Sequence, residues 1–403
     1  MARKMKDSGI EWIGEIPEGW EVVPVKCLCT MQAGKNLTSE QIAPEGTYPV
    51  YGGNGIRGFF SDYNCDGKFL TVGRQGALCG NVHKINGKVW ATEHAVITTP
   101  SSYTILDFLY YLLIGMDLNQ YVSSTAAQPG LAVGTLLNLK TCYPCSTLEQ
   151  TQISNYLNAK CSEIDVMLTK TRSSIEEYKK LKQAVITQAV TKGVRGEREI
   201  KESKLPWASK IPKAWNICAI RHIMFECKER TKDGHEEQLS VTQQFGIIKS
   251  SDASIANPSL SLDDWRIVAI GDIVFNKYKA HSGVFFVSPF SGIVTFNYSV
   301  YRCFPNCYAK YFEYQYKTHG CISEFRTRMH GVGNSISPLY TKDLMKIKVV
   351  CPPLDEQKEI SNYLDAKCAE IDKLIAKKEQ LVIELESYKK SLIYEVVTGK
   401  REV

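Results

Sequence analysis

The sequence predicts a mixed α/β (α+β) fold in which two globular domains are joined by two long helices that pair as an antiparallel coiled coil. The first observation is an internal repeat, because residues 153–191 return without a gap as residues 360–398. The second is a shorter repeat of the pattern W-x(3)-I-P-x-x-W at residues 12–20 and 207–215. The third is that the inserts between these repeats differ from each other but are both rich in glycine turns and short β-type runs.

Length and composition predict a folded chain of several domains. The 403 residues include 44% apolar and 23% charged residues, which is ordinary for globular proteins. We expect a first globular domain at 1–147, a first helical region at 148–195, a second globular domain at 196–353 and a second helical region at 354–403. Because this layout repeats the helices around unlike inserts, it is suited to presenting two different recognition surfaces at a fixed separation.

Several classes of protein are excluded by the sequence. The longest apolar run, at residues 108–116, is far shorter than the roughly 20 residues of a membrane span, and the basic first residues lead into no apolar signal segment. We therefore expect a cytoplasmic protein without membrane contact, whose 14 cysteines are reduced and mostly buried. The single CxxC, Cys142 to Cys145, has no companion pair at zinc-finger spacing, so no metal is expected. The net charge of +6 is compatible with binding a polyanion but is common among soluble proteins.

Each repeat predicts one long helix. Apolar residues recur in steps of three and four over about five heptads, and roughly 40 residues at 1.5 Å each make a helix of about 60 Å. Prolines precede both helices, and Gly193 and Gly399 follow them. The predicted seam, which continues through Leu181 and Tyr388, comprises Ile153, Leu157, Ile164, Leu168 and Ile175 in the first helix and Ile360, Leu364, Ile371, Ile375 and Val382 in the second. We expect Ile164, Leu168 and Ile175 to pack against Ile371, Ile375 and Val382; the alternative is that each helix belongs to its own domain alone.

The inserts predict strands joined by turns, each followed by one helix. In the first insert, β-type runs occupy residues 47–51, 68–72 and 95–98, and in the second they occupy residues 265–276 and 283–287. Aromatic-rich helical segments follow at 106–114 and 309–316. The inserts are therefore predicted to be mixed α/β globules.

Motifs for catalysis are missing from the sequence. Residues 53–58 match G-x-G-x-x-G, but an aromatic, turn-like stretch follows instead of a helix, so a surface loop is favoured over a dinucleotide site. The sequence has no Asn/Asp-Pro-Pro-aromatic loop for amine methylation and no histidine motif. Glu356 and Lys358 have the spacing of a nuclease motif, but they stand at a predicted helix start with only Asp355 beside them. No catalytic residue is expected.

Loop residues of the inserts are the candidates for reading DNA. Arg and Gln pair with guanine and adenine edges, and Arg74 and Gln75 lie on a glycine-flanked turn. In the second insert, aromatic and basic residues are interleaved, as on many nucleic-acid surfaces. The candidates are Asn54, Arg57, Arg74, Gln75, Thr92 and His94 in the first insert and Lys277, Tyr278, Lys279, His281, Asn297 and Tyr298 in the second. For each of them a solvated loop is the alternative.

The repeated Trp motif and the sequence Pro-Pro-Leu-Asp-Glu-Gln at 352–357, which opens a long helix, resemble the specificity subunit of type I restriction-modification systems across the whole chain. Two departures concern helix capping: the first copy of this sequence is degraded to Ser-Thr-Leu-Glu-Gln at 146–150, and the second W-I-G is Trp-Ala-Ser at 207–209. The family's recognition loops vary with the target, so no base-contacting residue can be carried over from it.

The resemblance implies two target-recognition domains, each reading one half of a bipartite site in double-stranded DNA, and a subunit that is not itself catalytic. It also implies two partner methyltransferase subunits that carry S-adenosylmethionine and modify adenine, and motor-nuclease subunits that use ATP and Mg²⁺. The alternative is a scaffolding protein whose two globules bind proteins or glycans across a coiled-coil spacer.

Overall fold

The computed structural model describes residues 3–76, 79–122, 130–232, 234–243, 245–251, 264–329 and 338–403. The chain forms two compact units, one made of Met1–Arg172 with Glu379–Val403 and the other of Ser173–Lys378. Each unit contains one insert together with part of each long helix, so the helical regions at 148–195 and 354–403 contribute residues to both units. None of the helices in the described ranges is long and apolar enough to span a membrane.

The first insert folds into short strands and two helices before the first long helix begins. These elements are β1 (Met5–Asp7), β2 (Glu15–Pro17), β3 (Trp20–Pro24), β4 (Cys29–Ala33), β5 (Tyr48–Gly52), β6 (Gly55–Phe60), β7 (Lys68–Gly73), β8 (Val82–Asn86), β9 (Trp90–Ala91), β10 (Ala95–Pro100), α1 (Leu106–Gly115), α2 (Val133–Asn138), β11 (Lys140–Pro144) and α3 (Thr147–Lys192). The predicted strands and the predicted helix at 106–114 are confirmed.

The second insert follows the same plan, and its predicted helix at 309–316 is also confirmed. Its elements are β12 (Ile200–Leu205), β13 (Ala208–Pro212), β14 (Asn216–Ala219), β15 (Met224–Cys227), β16 (Leu239–Thr242), β17 (Gly246–Lys249), β18 (Arg266–Val268), β19 (Ile273–Asn276), β20 (Phe285–Val287), β21 (Gly292–Val294), β22 (Tyr298–Cys303), α4 (Ala309–Tyr316), α5 (His319–Thr327), α6 (Thr341–Leu344), β23 (Lys348–Cys351) and α7 (Leu354–Val397).

Each insert is built on a four-stranded antiparallel sheet, and the two sheets have the same strand order. Its order is β4-β10-β7-β8 in the first unit and β15-β22-β19-β20 in the second. The second inner strand of each sheet is covered on both faces, since Leu70 and Phe69 of β7 point into different apolar clusters, as do Phe275 and Val274 of β19. Inserts whose sequences differ therefore have cores of the same topology.

The long helices pack antiparallel in the first unit. Lys389 of α7 forms an ion pair with Asp165 of α3 at 2.7 Å, and Glu386 forms one with Arg172 at 2.5 Å. The residue numbers fall along α7 as they rise along α3, which fixes the antiparallel direction.

The second unit repeats this packing with the equivalent residues. Lys182 of α3 forms an ion pair with Asp372 of α7 at 2.6 Å, and the Lys378 ammonium lies 5.8 Å from the centre of the Tyr178 ring. Lys182 and Asp372 stand 207 residues from the lysine and aspartate that pair in the first unit. The internal repeat in the sequence is thus also a repeat of helix contacts.

The apolar seam differs in detail from its prediction. All ten predicted seam residues are buried except Ile375 and Val382, which are half-buried. Leu181 and Tyr388, however, are 49% and 50% exposed, because the next residue in each repeat, a lysine, occupies the inward position with its aliphatic stem and reaches an aspartate with its ammonium group.

The expected seam partners also differ. Ile164 and Leu168 pack in one cluster with Val382, Leu385 and Leu392. Their expected partners at positions 371 and 375 belong instead to the second unit. The physical reason is register: the ion pairs of the first unit place the middle of α3 opposite the last third of α7.

A buried tryptophan, a glutamate and an arginine form a clasp at the start of each long helix. In the first unit, Trp20 Nε1 donates to Glu149 at 3.0 Å, and Arg3 pairs with the same carboxylate. In the second unit, Trp215 Nε1 donates to Glu356 at 3.0 Å, and Arg198 pairs with it at 2.7 Å. These contacts explain why the motif W-x(3)-I-P-x-x-W and the Glu-Gln at the helix start recur together.

Candidate nucleic-acid interface

The glycines of the first insert allow three loops to lie in contact. Gly53 and Asn54 form the two-residue turn between β5 and β6. A Cβ on Gly73, at the end of β7, would lie 1.9 Å from the Gly53 carbonyl oxygen, and one on Gly53 would lie 3.0 Å from the Gln75 carbonyl oxygen. The hairpin turn therefore packs directly against the backbone of the loop after β7, with no room for a side chain at Gly73.

Five of the six candidates in the first insert surround this contact, and Arg57 extends from β6 beside it. The Arg74 N–H donates to the carbonyl oxygen of His94 at 3.0 Å, which joins the loop after β7 to the loop before β10. The Thr92 N–H donates to Tyr51 of β5 at 2.9 Å. The Asn54 side chain accepts a hydrogen bond from Asn81 Nδ2 at 2.8 Å. Residues that are spread over about forty positions of sequence thus converge on one surface.

Several buried polar atoms at this surface have no partner among the described residues. They include Arg74 Nε, Thr92 Oγ1 and His94 Nδ1. Two neighbours that the sequence did not indicate, His83 and Glu93, each contribute a further atom, His83 Nε2 and Glu93 Oε2. Buried polar groups in folded proteins are almost always hydrogen-bonded, so these atoms are suited to bonds with a ligand.

The charged side chains at this first surface include the arginines Arg57 and Arg74 and the carboxylate of Glu93. Glu93 lies 3.1 Å from His94 Nε2 through its other carboxylate oxygen. Burial lowers the pKa of His83 below 6.5, so its imidazole is neutral at pH 7 and offers one donor and one acceptor. His83 lies beside Gly55, where an added Cβ would be 3.3 Å from its ring.

In the second insert, the loop after β19 is a capped 3-10 helix. Asn276 Oδ1 accepts hydrogen bonds from the backbone N–H groups of Tyr278 and Lys279, both at 3.1 Å. This cap holds the helix Lys277–Ser282, in which the side chains of Tyr278 and Lys279 are exposed and His281 is half-buried. Asn276 pairs with Tyr298 in the sheet, so the loop before β22 lies beside this helix.

The two lysines of this helix have different surroundings. Burial and the nearby Arg266 guanidinium lower the pKa of Lys277, while Glu226 opposes the shift. Glu226 is held by Arg266 at 3.1 Å and by Thr341 at 3.1 Å. Lys279 is exposed to solvent, whereas Lys277 is half-buried.

All candidates except Asn54 and Arg57, which lie on the β5–β6 hairpin, occupy two equivalent loops of the four-stranded sheets. Arg74 and Gln75 follow β7, and Lys277 to Lys279 follow β19, which holds the same place in its sheet. Thr92 and His94 precede β10, and Asn297 directly precedes the equivalent strand β22, which begins at Tyr298. This correspondence was not visible in the sequences of the inserts, because it follows from strand order alone.

Other chemistry finds no support at these loops. The glycines at 53–58 lie on a β-hairpin and strand β6, which has no helix N-terminus to hold a pyrophosphate. Glu356, which has the spacing of a nuclease motif, accepts a hydrogen bond from Trp215 Nε1 in the clasp at the start of α7. Within the described ranges, no three His, Cys, Asp or Glu side chains are grouped so that they could hold a metal ion.

Comparison with known proteins places the chain among specificity subunits. A family model described as the type I restriction modification DNA specificity domain matches residues 17–177 and 243–385. The type I restriction enzyme EcoprrI specificity subunit of Escherichia coli is 45% identical over 118 residues, which span 28% of this chain and 29% of that protein. The putative type I restriction enzyme MjaX specificity subunit of Methanocaldococcus jannaschii is 25% identical over 434 residues, covering 97% of this chain and 96% of that one.

A solved structure from work on complex assembly and conformational transition of the type I R-M system has the same fold. Its chain matches with a TM-score of 0.67 at 13% identity, over 96% of this chain and 99% of that chain. At this identity the likeness concerns the fold alone.

Proposed function

Since the chain belongs to the family of type I restriction modification DNA specificity domains, we propose that it is the non-catalytic subunit that reads DNA sequence in a type I restriction-modification complex. Its target is a bipartite, asymmetric site in double-stranded DNA, with one half-site read by each insert. The observation that supports this most directly is that most of the candidate residues lie on equivalent loops of two unlike inserts. The same topology with different loop residues suits two half-sites of different sequence.

The first insert offers both kinds of contact that a DNA-reading surface needs, and the second offers an exposed cation. Arg74, Gln75 and Asn54 carry the donors and acceptors that pair with base edges in the major groove. Arg57 and Lys279 are exposed cations suited to phosphate, which contributes affinity without sequence information. The two half-sites are therefore read by separate sets of residues.

The partners are two adenine methyltransferase subunits, and the cofactors S-adenosylmethionine and ATP with Mg²⁺ bind to partner subunits. Exposed apolar residues on the long helices support a partner-binding role for these helices. Val166 and Met167 of α3 are exposed in the first unit, as is Ile383 of α7. Solvated apolar side chains next to one another on a helix are typical of surfaces that a protein partner covers.

The decisive experiment measures duplex binding by the chain reconstituted with its methyltransferase subunits. Phosphate contacts make the logarithm of affinity fall linearly with the logarithm of salt concentration, with a slope near −0.9 for each phosphate neutralised. A binding site selected from random duplexes should contain two specified blocks separated by an unspecified spacer. Binding that is indifferent to salt and sequence would instead favour the scaffolding protein with two ligand-binding globules.

Partner docking is tested with one charged substitution on the helix surface. Met167→Glu should abolish co-purification with the methyltransferase subunits, because it places a charge in an apolar interface. Glu163→Gln, on the same helix at an exposed position, is the matched control and should leave co-purification unchanged. Retention of the partners by Met167→Glu would exclude this part of α3 from the interface.

A further inference from the structure

The same four-residue turn precedes an inner strand of the sheet in each insert. In the first insert, the Ala95 N–H at the start of β10 donates to the carbonyl oxygen of Thr92 at 2.9 Å. In the second, the Tyr298 N–H at the start of β22 donates to the carbonyl oxygen of Thr295 at 3.0 Å. A hydrogen bond from the fourth N–H to the first carbonyl is typical of a β-turn. Since β10 and β22 hold the same place in their sheets, the two turns are equivalent.

The two central residues of these turns differ in chemistry. Glu93 and His94 are half-buried in the first turn, and the Glu93 carboxylate lies 3.1 Å from His94 Nε2. Phe296 and Asn297 are both exposed in the second turn, and Phe296 is 62% exposed. None of these four residues has a positive φ, and turns of that kind accept most residue types. The fold therefore does not require a phenylalanine at the tip, and the side chains there are free to differ between the inserts.

The second turn lies beside the capped 3-10 helix of the same insert. Tyr298, the last residue of the turn, pairs in the sheet with Asn276, whose side chain caps the helix Lys277–Ser282. Tyr278 and Lys279 are exposed on that helix. An exposed phenylalanine and an exposed tyrosine on neighbouring loops, together with a lysine, are suited to a ligand that offers both apolar and anionic groups.

Duplex DNA offers one kind of apolar group to such a surface. On the base edges of the major groove this group is the C5-methyl of thymine, and phenylalanine is one of the side chains that contact it. Asparagine pairs with adenine through two hydrogen bonds, to N6 and N7. Both side chains at the tip of the second turn therefore favour the same base pair, which is A·T.

We propose that the turn at residues 295–298 determines sequence specificity in the second insert and reads A·T base pairs. Phe296 packs against a thymine methyl group, and the Asn297 amide forms hydrogen bonds with N6 and N7 of the adenine in the same or the adjacent pair. This inference rests on the proposed function and adds to it the residues that read the second half-site and the base pair that they read.

Base analogues that remove one group at a time test the proposal. The chain reconstituted with its methyltransferase subunits is titrated with the duplex obtained by binding-site selection, in which thymines of the second half-site are replaced singly by deoxyuridine. Deoxyuridine lacks only the methyl group, whose burial is worth about 0.8 kcal/mol, so the replacement should weaken binding about fourfold. In Phe296→Ala the thymine and uracil duplexes should bind equally. 7-Deazaadenine, which lacks N7, should likewise weaken binding by the unaltered chain and make no difference to Asn297→Ala.

Ile270→Ala is the matched control. Ile270 is 70% exposed and lies before β19, at the end of that strand opposite to Asn276. Its substitution removes a comparably exposed apolar side chain away from the turn, so the penalty for uracil should remain. Thymines of the first half-site provide a second control, since their replacement should have the same effect in Phe296→Ala as in the unaltered chain.

Three results would overturn the proposal: a second half-site without an A·T pair, equal binding of the thymine and uracil duplexes by the unaltered chain, and a uracil penalty that persists in Phe296→Ala. Equal binding of the two duplexes together with a loss of affinity in Phe296→Ala would indicate that the ring inserts between base steps instead. Each of these results leaves two specified half-sites in place, and with them the proposed function. Duplex binding without any sequence preference would refute the proposed function, and the inference with it.

Discussion

The two clasps provide a paired test of how burial sets the strength of an ion pair. We consider Glu356→Gln in the second unit and Glu149→Gln in the first, which are equivalent positions of the repeat. The glutamine side chain keeps the volume and still accepts from the tryptophan Nε1. Each substitution therefore removes chiefly the negative charge that faces an arginine.

The expected magnitudes differ because the two carboxylates differ in exposure. The Glu356 side chain is 7% exposed and that of Glu149 is 29% exposed. A hydrogen bond to a charged group is worth about 1.5–3 kcal/mol when buried, which is the loss expected for Glu356→Gln. Neutralising Glu356 also leaves Arg198, whose Nε and Nη2 already have no partner among the described residues, without its counter-charge. For the more exposed Glu149 the expected loss is about 0.2–1 kcal/mol.

Thermal unfolding followed by calorimetry measures both losses. For a unit the size of Ser173–Lys378, each kcal/mol lowers Tm by about 2–4 °C. Glu356→Gln should therefore lower Tm by about 3–12 °C, and Glu149→Gln by no more than about 4 °C. Glu359→Gln, which removes an exposed partner of Arg195 one turn further along α7, is the control and should change little. Equal losses at the two clasp positions, or the reverse order, would refute the argument from burial.

Five further predictions concern catalysis, DNA reading and stability. The purified chain alone should transfer no methyl groups and cut no DNA, and turnover by a pure preparation would contradict this. Arg74→Ala should cost about 1–3 kcal/mol of discrimination at one half-site and leave the other unchanged, as binding-site selection will show. Lys279→Ala should instead weaken all sequences alike and reduce the salt slope by about 1. Leu168→Ala should destabilise the chain by about 2–5 kcal/mol in urea unfolding, whereas Leu181→Ala, exposed on the same helix, should cost little. Because burial lowers the folded-state pKa of His83, its contribution to stability is present above its unfolded value of 6.5 and is lost as pH falls below it. The acid limb of the stability curve should therefore flatten in His83→Gln.

The helices and most strands were predictable from the sequence because their signals are local. The three-four spacing from Ile153 to Ile175 requires only neighbouring turns of one helix, and it placed the seam correctly over most of its length. The spacing failed at Leu181 and Tyr388, where apolar side chains point to solvent. At the next position the aliphatic part of a lysine side chain points inward, and its ammonium group pairs with an aspartate of the other helix. A pattern of apolar residues cannot indicate an inward lysine.

The common sheet of the inserts and the composition of the candidate surface could not be predicted in this way. Strand order depends on pairing between distant segments, and buried positions of both sheets accept any apolar residue that fits, so sequence similarity is lost while topology remains. His83 joins the surface only because β8 pairs with β7 and the hairpin turn approaches it, which no spacing indicates. Arg3 and Arg198 are distant in sequence from the glutamates that they contact, so the clasp is visible only in the folded chain.

The discontinuous make-up of the first unit has a consequence for synthesis on the ribosome. The second unit is one unbroken stretch, so its core can close as soon as residue 378 has emerged. The first unit, although its insert is made first, needs Leu392, Ile393, Val396 and Val397 to complete its core. At about 5–20 residues per second, roughly 10–50 seconds pass while its apolar surface waits for these residues. The order of translation is therefore the reverse of the order in which the two units can finish folding, and the first insert is the part of the nascent chain most in need of protection from aggregation.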